Sequence, residues 1–219
     1  GGHGPHHRRA VARVSAAPLP YLADAHAAIV LAAGGSLRLG RPKQLLVRDG
    51  EALVHRAVRL ATDTTPVRLV VVLGAHRAAI RASCADLHAE YLHNTHWRSG
   101  LAGSLRCAAA ALADHAGPVL VLACDQPALE LAHLRSLLDS ATIAGSRCAA
   151  TRQGEVFGIP AVITSTMLQR AGELNGNLGF GRLLRALPAS ELVSLDAPVL
   201  QLDVDSEDDL RDAIERVCL

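Results

Sequence analysis

Ile29-Val-Leu-Ala-Ala-Gly-Gly-Ser-Leu-Arg-Leu-Gly-Arg-Pro-Lys-Gln-Leu-Leu46 begins as a short apolar run, breaks into a Gly-rich basic loop and returns to leucines. The pattern suits a buried strand that delivers a loop. Gly34, Gly35 and Gly40 lack the Cβ that would hold a ligand away, so backbone N–H groups there can approach phosphate oxygens, and Arg38 and Lys43 add positive charge. Spacing excludes two commoner phosphate loops. Gly35 and Gly40 match G-x-x-x-x-G, but Arg41 and Pro42 follow where Lys and then Ser or Thr are needed, and no G-x-G-x-x-G occurs. Pro42 has no N–H and disfavours helix in the residue before it, so the loop is expected to stay extended, with Lys43 at its far end.

Downstream, Glu51 to Ala61 sets Leu53, Val54, Ala57, Val58 and Ala61 on one helical face, and the strand Val67 to Leu73 follows, a βαβ rhythm. Glu90 to His93 is a shorter strand. Its end meets Asn94-Thr-His-Trp-Arg-Ser-Gly-Leu-Ala-Gly-Ser-Leu-Arg106, where small residues crowd a turn before an Ala-rich helix over Leu105 to Ala113.

Pro118-Val-Leu-Val-Leu-Ala-Cys-Asp-Gln-Pro127 reads as the central strand, apolar throughout and ending on an acidic residue. A parallel strand buried on both faces has this composition, and ligands gather at the carboxyl ends of such strands. Asp125 is therefore expected in the site, as a hard oxygen donor suited to Mg²⁺. The plain structural alternative is that it caps a helix beginning near Ala128.

Further on come an amphipathic helix carrying Leu131, Leu134 and Leu138, a short strand from Arg147 to Thr151, and a segment from Val162 to Leu168. Val199 to Val204 alternates like a strand, and Ser206 with Asp209 has capping-box spacing for a helix placing Leu210, Ile214 and Val217 on one face.

The 219 residues fit one α/β domain with a sizeable core, since half are apolar. Net charge of +1 and 2% aromatic residues give neither the basic field nor the stacking surface of a nucleic-acid binder. No apolar run reaches the roughly 18 residues that span a bilayer. The five cysteines are odd in number, widely spaced and free of C-x-x-C, which argues against a disulfide framework or structural zinc and points to a reducing cytoplasm. Cys84, His88, His93 and His96 lack a metal-site spacing and read as surface or core residues. Residues 1–25 show no steady period and Val11 to Ala17 is broken by Arg13 and Ser15, so they read as a disordered or expression-derived tail rather than a signal peptide, with one domain over 26–219.

Leu31 to Lys43 resembles the L-A-A-G-x-S-x-R-x-G-x-x-K signature of the nucleotidyltransferases, and Pro42-Lys43-Gln44-Leu45-Leu46 resembles the molybdenum cofactor cytidylyltransferase branch. Asn94, Trp97, Gly100, Ser104 and Leu105 are similar to that family's N-x-x-W-x-x-G-x-x-x-S-L segment, and Ala123 to Pro127 to its A-x-D-Q-P strand end. The resemblance spans Ala28 to about Val217. It implies a three-layer αβα, Rossmann-like α/β fold with a mostly parallel mixed sheet, of the nucleotide-diphosphosugar-transferase type. It also implies transfer of CMP from CTP to the phosphate of a molybdopterin-type acceptor with release of pyrophosphate, and possible service to a molybdoenzyme partner. CTP is preferred over GTP on one residue, Ala33, where guanylyltransferases commonly carry Gly.

By the same resemblance Arg38, Lys43 and Asp125 are catalytic, and Leu31, Ala32, Ala33, Gly34, Gly35, Ser36, Gly100 and Ser104 join Arg38 and Lys43 around the nucleotide. Asp203-Val-Asp-Ser-Glu-Asp-Asp-Leu210 resembles D-x-D-T-P-E-D and makes Asp205 the second Mg²⁺ carboxylate beside Asp125. Gly158, Pro160, Asn177 and Gly179 fall to the acceptor, within segments similar to G-x-x-G-x-P and G-D-x-G-A-R-x-L-L. Here the chain departs from the pattern: Ile159 replaces a frequent His, Asn177 an Asp and Gly181 a basic residue, with Arg182 one position late. These departures keep open a sugar or polyol phosphate as acceptor, or a non-catalytic accessory protein that binds the pterin cofactor.

Overall fold

The computed structural model describes residues 25–201, 204 and 206–217. Its frame is a seven-stranded mixed sheet: β1 (Ala27–Ala32), β4 (Arg68–Leu73), β5 (Glu90–His93), β6 (Pro118–Ala123), β7 (Ala149–Gln153), β8 (Val156–Thr164) and β9 (Val193–Asp196), in the order β5-β4-β1-β6-β8-β7-β9. Pairings are parallel from β5 to β6 and between β7 and β9; β8 runs antiparallel to both neighbours. A small antiparallel ladder, β2 (Val47–Arg48) with β3 (Glu51–Ala52), sits apart.

The layering follows from the first strand. Every residue of β1 is buried. Ala28, Val30 and Ala32 pack with Val54 and Val58 of α1 (Leu53–Thr62) and with Leu134 and Leu137 of α4 (Leu131–Ile143). Ala27, Ile29 and Leu31 face the other side, against Leu105, Ala108 and Leu112 in and just after α3 (Leu101–Ala111), with Met167 and Leu168 of α5 (Ser165–Gln169). Helices therefore cover both faces, as expected for strands that are apolar in every position. Each buried Val, Leu or Ile contributes about 1.5–3 kcal/mol relative to exposure.

Register places the site. Ala32 lies opposite Leu73, and Leu31 opposite Ala123, so β1, β4 and β6 finish level and release Ala33, Gly74 and Cys124 together. Chain order reverses around β1, the switch point at which such sheets bind ligands.

Several boundaries differ from the sequence reading. The first helix starts at Leu53 because Glu51 and Ala52 pair with Val47 and Arg48. The helix after Trp97 starts at Leu101, held at its first turn by Ala102 N–H donating to Gly176 C=O at 3.0 Å. The stretch from Gly154 to Pro160 turns only at Gly154-Glu155 and is otherwise strand β8. Pro198, which has no N–H for a ladder, starts a 3-10 turn over Pro198–Gln201 where a strand was expected; the strand is Val193–Asp196. In α7 (Glu207–Val217) the capping box forms: Ser206 N–H donates to Asp209 Oδ2 at 2.8 Å and Asp209 N–H to Ser206 Oγ at 3.2 Å. Leu210 and Ala213 face Leu39 and Val204 inside, whereas Ile214 is 48% exposed, so the buried stripe is rotated from the expected one. Residues 1–24, where the tail was read, lie outside the described residues.

Candidate active site

A cleft of about 700 Å³ opens beyond the carboxyl ends of β1 and β6. Its first wall is the loop after β1. Ser36, at φ 50°, is the hub: its carbonyl accepts from Leu39 and Gly40 N–H at 3.1 and 3.0 Å, and its hydroxyl accepts from Lys43 N–H at 3.0 Å while donating to Gln44 Oε1 at 3.3 Å. Gln44, only 1% exposed, donates from Nε2 to the carbonyls of Gly34 at 2.7 Å and Ala32 at 3.4 Å. The loop is thus a turn closed from behind, not an extended run, and Lys43 opens a 3-10 turn, Lys43–Leu45. Among the described residues no protein acceptor takes the N–H of Gly34 or Gly35. Donors of this kind beside a Gly-rich turn form an anion cradle.

Lys43 Nζ meets Asp125 Oδ2 at 2.5 Å across the cleft, each side chain 15% exposed. Asp125 follows β6 directly, and its carbonyl accepts from Val204 N–H at 3.4 Å. It caps no helix: the next one begins at Leu131, after an extended Glu130. The loop between them is held from the β2–α1 side. Arg48 donates to the Pro127 carbonyl and to Glu130 Oε1 at 3.1 Å, and Arg56 to the Leu129 carbonyl at 2.8 Å and Glu130 Oε1 at 2.6 Å. Cys124 is buried and its thiol is pushed far up by burial and by the Asp125 charge, so it offers no nucleophile.

The second wall follows β5. Trp97 lies against Gly35 and Gly74: a Cβ on Gly35 would come within 2.5 Å of its ring, and one on Gly74 within 2.6 Å of its Cβ. Gly35 thus makes room for a packed indole. Arg98 stacks over the Trp97 ring at 4.4 Å and also lines the cleft. Asn94 donates its backbone N–H to the Leu73 carbonyl at 2.8 Å and its Nδ2 to Ser104 Oγ at 3.1 Å, which leaves the Ser104 O–H to donate.

The third wall is built mostly from backbone. Gln126, 7% exposed, donates from Nε2 to the carbonyls of Ile159 at 3.0 Å and Leu200 at 3.3 Å, tying the end of β6 to β8 and to the turn before Val204. Thr151 donates its hydroxyl to the Pro160 carbonyl at 2.6 Å and accepts from His133 Nε2 at 2.8 Å; burial lowers the His133 pKa, which keeps the ring neutral. Gly100, at φ 99°, admits the Gly176 carbonyl and Asn177 so closely that a Cβ there would stand 2.7 Å from Asn177 Oδ1. Gly181, where the resemblance expects a basic residue, abuts β8: an added Cβ would lie 2.5 Å from the Phe157 carbonyl oxygen.

Of the residues expected in the site, the cleft brings together Leu31, Ala33, Gly34, Gly35 and Lys43 with Gly100, Ser104 and Asp125, and on the far side Gly158 and Asn177. Ala32 faces the opposite layer. Ser36 acts from behind the loop, and Arg38, which is exposed, and Pro160 and Gly179 are not among the residues lining the cleft. Asp205 lies outside the described residues. Gln44, Arg48, Arg56, Arg98, Gln126, Thr151 and His133 had no role from the sequence. Only Gln44 and Gln126 carried a signal, as parts of the Pro42 to Leu46 and Ala123 to Pro127 matches.

Comparison with known proteins gives a family model, the MobA-like NTP transferase domain, matching residues 28–192. The crystal structure of Rv0371c from Mycobacterium tuberculosis H37Rv superposes with a TM-score of 0.75 at 28% identity, covering 88% of this chain and 99% of that one. The same protein has also been crystallised with manganese, at 25% identity and a TM-score of 0.69, covering 88% of this chain and 100% of that one. Nicotine blue oxidoreductase of Paenarthrobacter nicotinovorans is 37% identical over 116 residues, 51% of this chain and 55% of that protein. The bifunctional protein GlmU of Corynebacterium diphtheriae is 28% identical over 166 residues, 73% of this chain and 30% of that protein. The chain thus spans between 30% and 55% of the length of these two curated relatives.

Proposed function

The chain belongs to the MobA-like NTP transferase family, and from that premise we propose that it transfers CMP from CTP to the phosphate of a molybdopterin-type acceptor, releasing pyrophosphate. One observation carries the reading: Lys43 and Asp125 meet at 2.5 Å beside a Gly-rich loop in which the N–H groups of Gly34 and Gly35 have no acceptor among the described residues, at the switch point of the sheet.

An oxygen of the acceptor phosphate attacks the α-phosphorus, the new P–O bond forms as the bond to the bridging β-oxygen breaks, and pyrophosphate leaves with that electron pair. A phosphate monoester is anionic at neutral pH, so no general base is required, and the protein's work is positioning and charge neutralisation. The donor loop orients the triphosphate through Gly34 and Gly35 N–H groups. Lys43 stabilises charge on the departing pyrophosphate, and Arg38 meets the triphosphate from the rim.

Asp125 would offer a divalent ion one hard carboxylate oxygen in the cleft lining. Among the described residues no three His, Cys, Asp or Glu side chains converge, and Mg²⁺ is typically held by one or two carboxylates plus substrate phosphates rather than by an all-protein cage. Asp125 is the first such carboxylate and Asp205 the proposed second. The bond from Val204 N–H to the Asp125 carbonyl supports that pairing. When bound, the ion neutralises charge on the α-phosphate.

The test is pyrophosphate release across CTP, GTP, UTP and ATP, each with molybdopterin and with sugar and polyol phosphates as acceptors. CTP with molybdopterin is expected to be fastest; a clear preference for GTP, or for a sugar phosphate, overturns the corresponding half of the reading.

A further inference from the structure

We propose that α7 serves the nucleotide site although it lines no part of the cleft: Leu39 is a positioning residue that hooks the tip of the Gly-rich loop under this helix, so that helix docking and triphosphate binding reinforce one another. The proposal rests on the reading of that loop as the triphosphate site and adds what holds it in place.

Two leucines of the loop tip are disposed in opposite ways. Leu37 lines the cleft and is 80% exposed, whereas Leu39 is 5% exposed, lies outside the cleft lining and packs with Val204, Leu210 and Ala213. Leu46, at the exit of the loop, packs against the same residues. This cluster is separate from the two that cover the faces of the sheet, so the loop and α7 share a small core of their own. Gln44 fixes the base of the loop through the Ala32 and Gly34 carbonyls. At the tip, the bonds from Leu39 and Gly40 N–H to the Ser36 carbonyl lie within the turn itself, and shape it without placing it. The Arg41–Glu207 pair at 3.2 Å joins the same two elements, but both side chains are more than half exposed and such pairs contribute little. Burial of Leu39 therefore carries the attachment. The same small core also reaches the other side of the cleft, because Val204, fully buried within it, donates its N–H to the Asp125 carbonyl at 3.4 Å. A ligand held between the Gly-rich loop and Asp125 favours the arrangement that this core already holds, and such coupling is reciprocal: what steadies the loop steadies α7. The family match ends at residue 192, so this support lies beyond it.

The experiment is hydrogen exchange of the whole chain read by mass spectrometry, with Mg²⁺ alone and with Mg²⁺ plus CTP, GTP, UTP or ATP, in wild type, Leu39→Ala, Leu39→Met and Leu210→Ala. In wild type, which needs no variant to fold, the bound triphosphate is expected to slow exchange of the loop and of Asp208 to Ala213 together, by roughly 5-fold or more, the lower end of such couplings. Leu39→Ala should leave exchange in β1 and β6 unchanged, speed it in α7 and weaken the triphosphate, titrated by calorimetry, by a similar factor. Leu39→Met, which refills the cluster, should restore both. Leu210→Ala, on a helix that lines no part of the cleft, should weaken the triphosphate as Leu39→Ala does. If a triphosphate protects the loop but not α7, or if Leu210→Ala binds it as wild type does, the coupling is wrong and the donor reading stands. If none of the four protects the loop, the donor reading fails and the coupling falls with it.

Discussion

The two walls of the cleft proposed to hold the donor and the acceptor are built on different principles. The proposed donor wall is one contiguous stretch, Ala32 to Gln44, folded back on itself by two polar side chains: Gln44 takes the Ala32 and Gly34 carbonyls, and Ser36 accepts from the Lys43 N–H while donating to Gln44. The acceptor wall is assembled from segments around 100, 126, 159, 176 and 200, joined mainly through backbone carbonyls and glycine contacts. A wall made of specific side chains tolerates little change. A wall made of carbonyls can present different side chains to the cleft while keeping its shape, which fits the concentration of departures at Ile159, Asn177 and Gly181.

Substitutions can break this contrast. The largest effect is expected from Lys43→Ala and Asp125→Ala, which remove preorganised charge where the two walls meet. Each should lower kcat by about 10²- to 10³-fold with the melting profile preserved, measured as pyrophosphate release. Near-normal rates for both would remove the site assignment.

Gln44→Leu comes next. It strips the donor loop of two carbonyl partners and leaves buried polar groups unmatched, at a cost of about 1–3 kcal/mol. The expected readout is a raised KM for the triphosphate with the acceptor KM unchanged. Gln126→Leu should do the reverse by loosening β8 and the Leu200 turn, raising the acceptor KM about tenfold for roughly 1.4 kcal/mol and sparing the triphosphate KM. If both variants shift the two KM values alike, the walls are not separable.

The smallest effect concerns the outer support of the donor side. His55 in α1 lies 2.6 Å from Glu51 Oε1 and 3.0 Å from Asp86 Oδ2, and Glu51 also takes two hydrogen bonds from Arg59. Burial alone would lower the His55 pKa, but the hydrogen bonds to Asp86 and Glu51 and their charges outweigh it and hold the pKa above its ordinary value. Glu51 is depressed to about 2, chiefly by Arg59. A raised histidine pKa stabilises the fold fully below the unfolded value and loses that contribution as pH rises through the folded value. The stability gap between wild type and His55→Asn, from urea unfolding, should therefore be widest near pH 5 and narrow on the alkaline side; a gap that grows with pH would reject the clip.

Fold class and the place of the Gly-rich loop at the end of β1 were legible because their signals are local, although the loop was expected extended and is a closed turn. Six apolar residues in β1 and again in β6 declare strands buried on both faces, and the glycines, Ser36, Arg38 and Lys43 stand within one turn of each other in sequence. Asp125 was legible for the same reason, as the polar stop on an apolar strand. What stayed hidden depends on distant partners. Nothing near Gln126 announces that its amide will find Ile159 and Leu200, and nothing near Arg56 points to the Leu129 carbonyl. The alternation from Val199 misled over Val199–Gln201 because Pro198, which has no N–H for a ladder, starts a 3-10 turn there and was the stronger signal.

Trp97 gives the molecule a property of practical use. It is the chain's sole tryptophan, and its ring rests on Gly35 of the donor loop beneath Arg98. Any occupant that shifts that loop or draws Arg98 away changes the polarity around one indole, so intrinsic fluorescence excited at the red edge, away from the two tyrosines, reports on the side of the cleft proposed to hold the triphosphate. The protein carries its own optical probe at the place where its chemistry is proposed to begin.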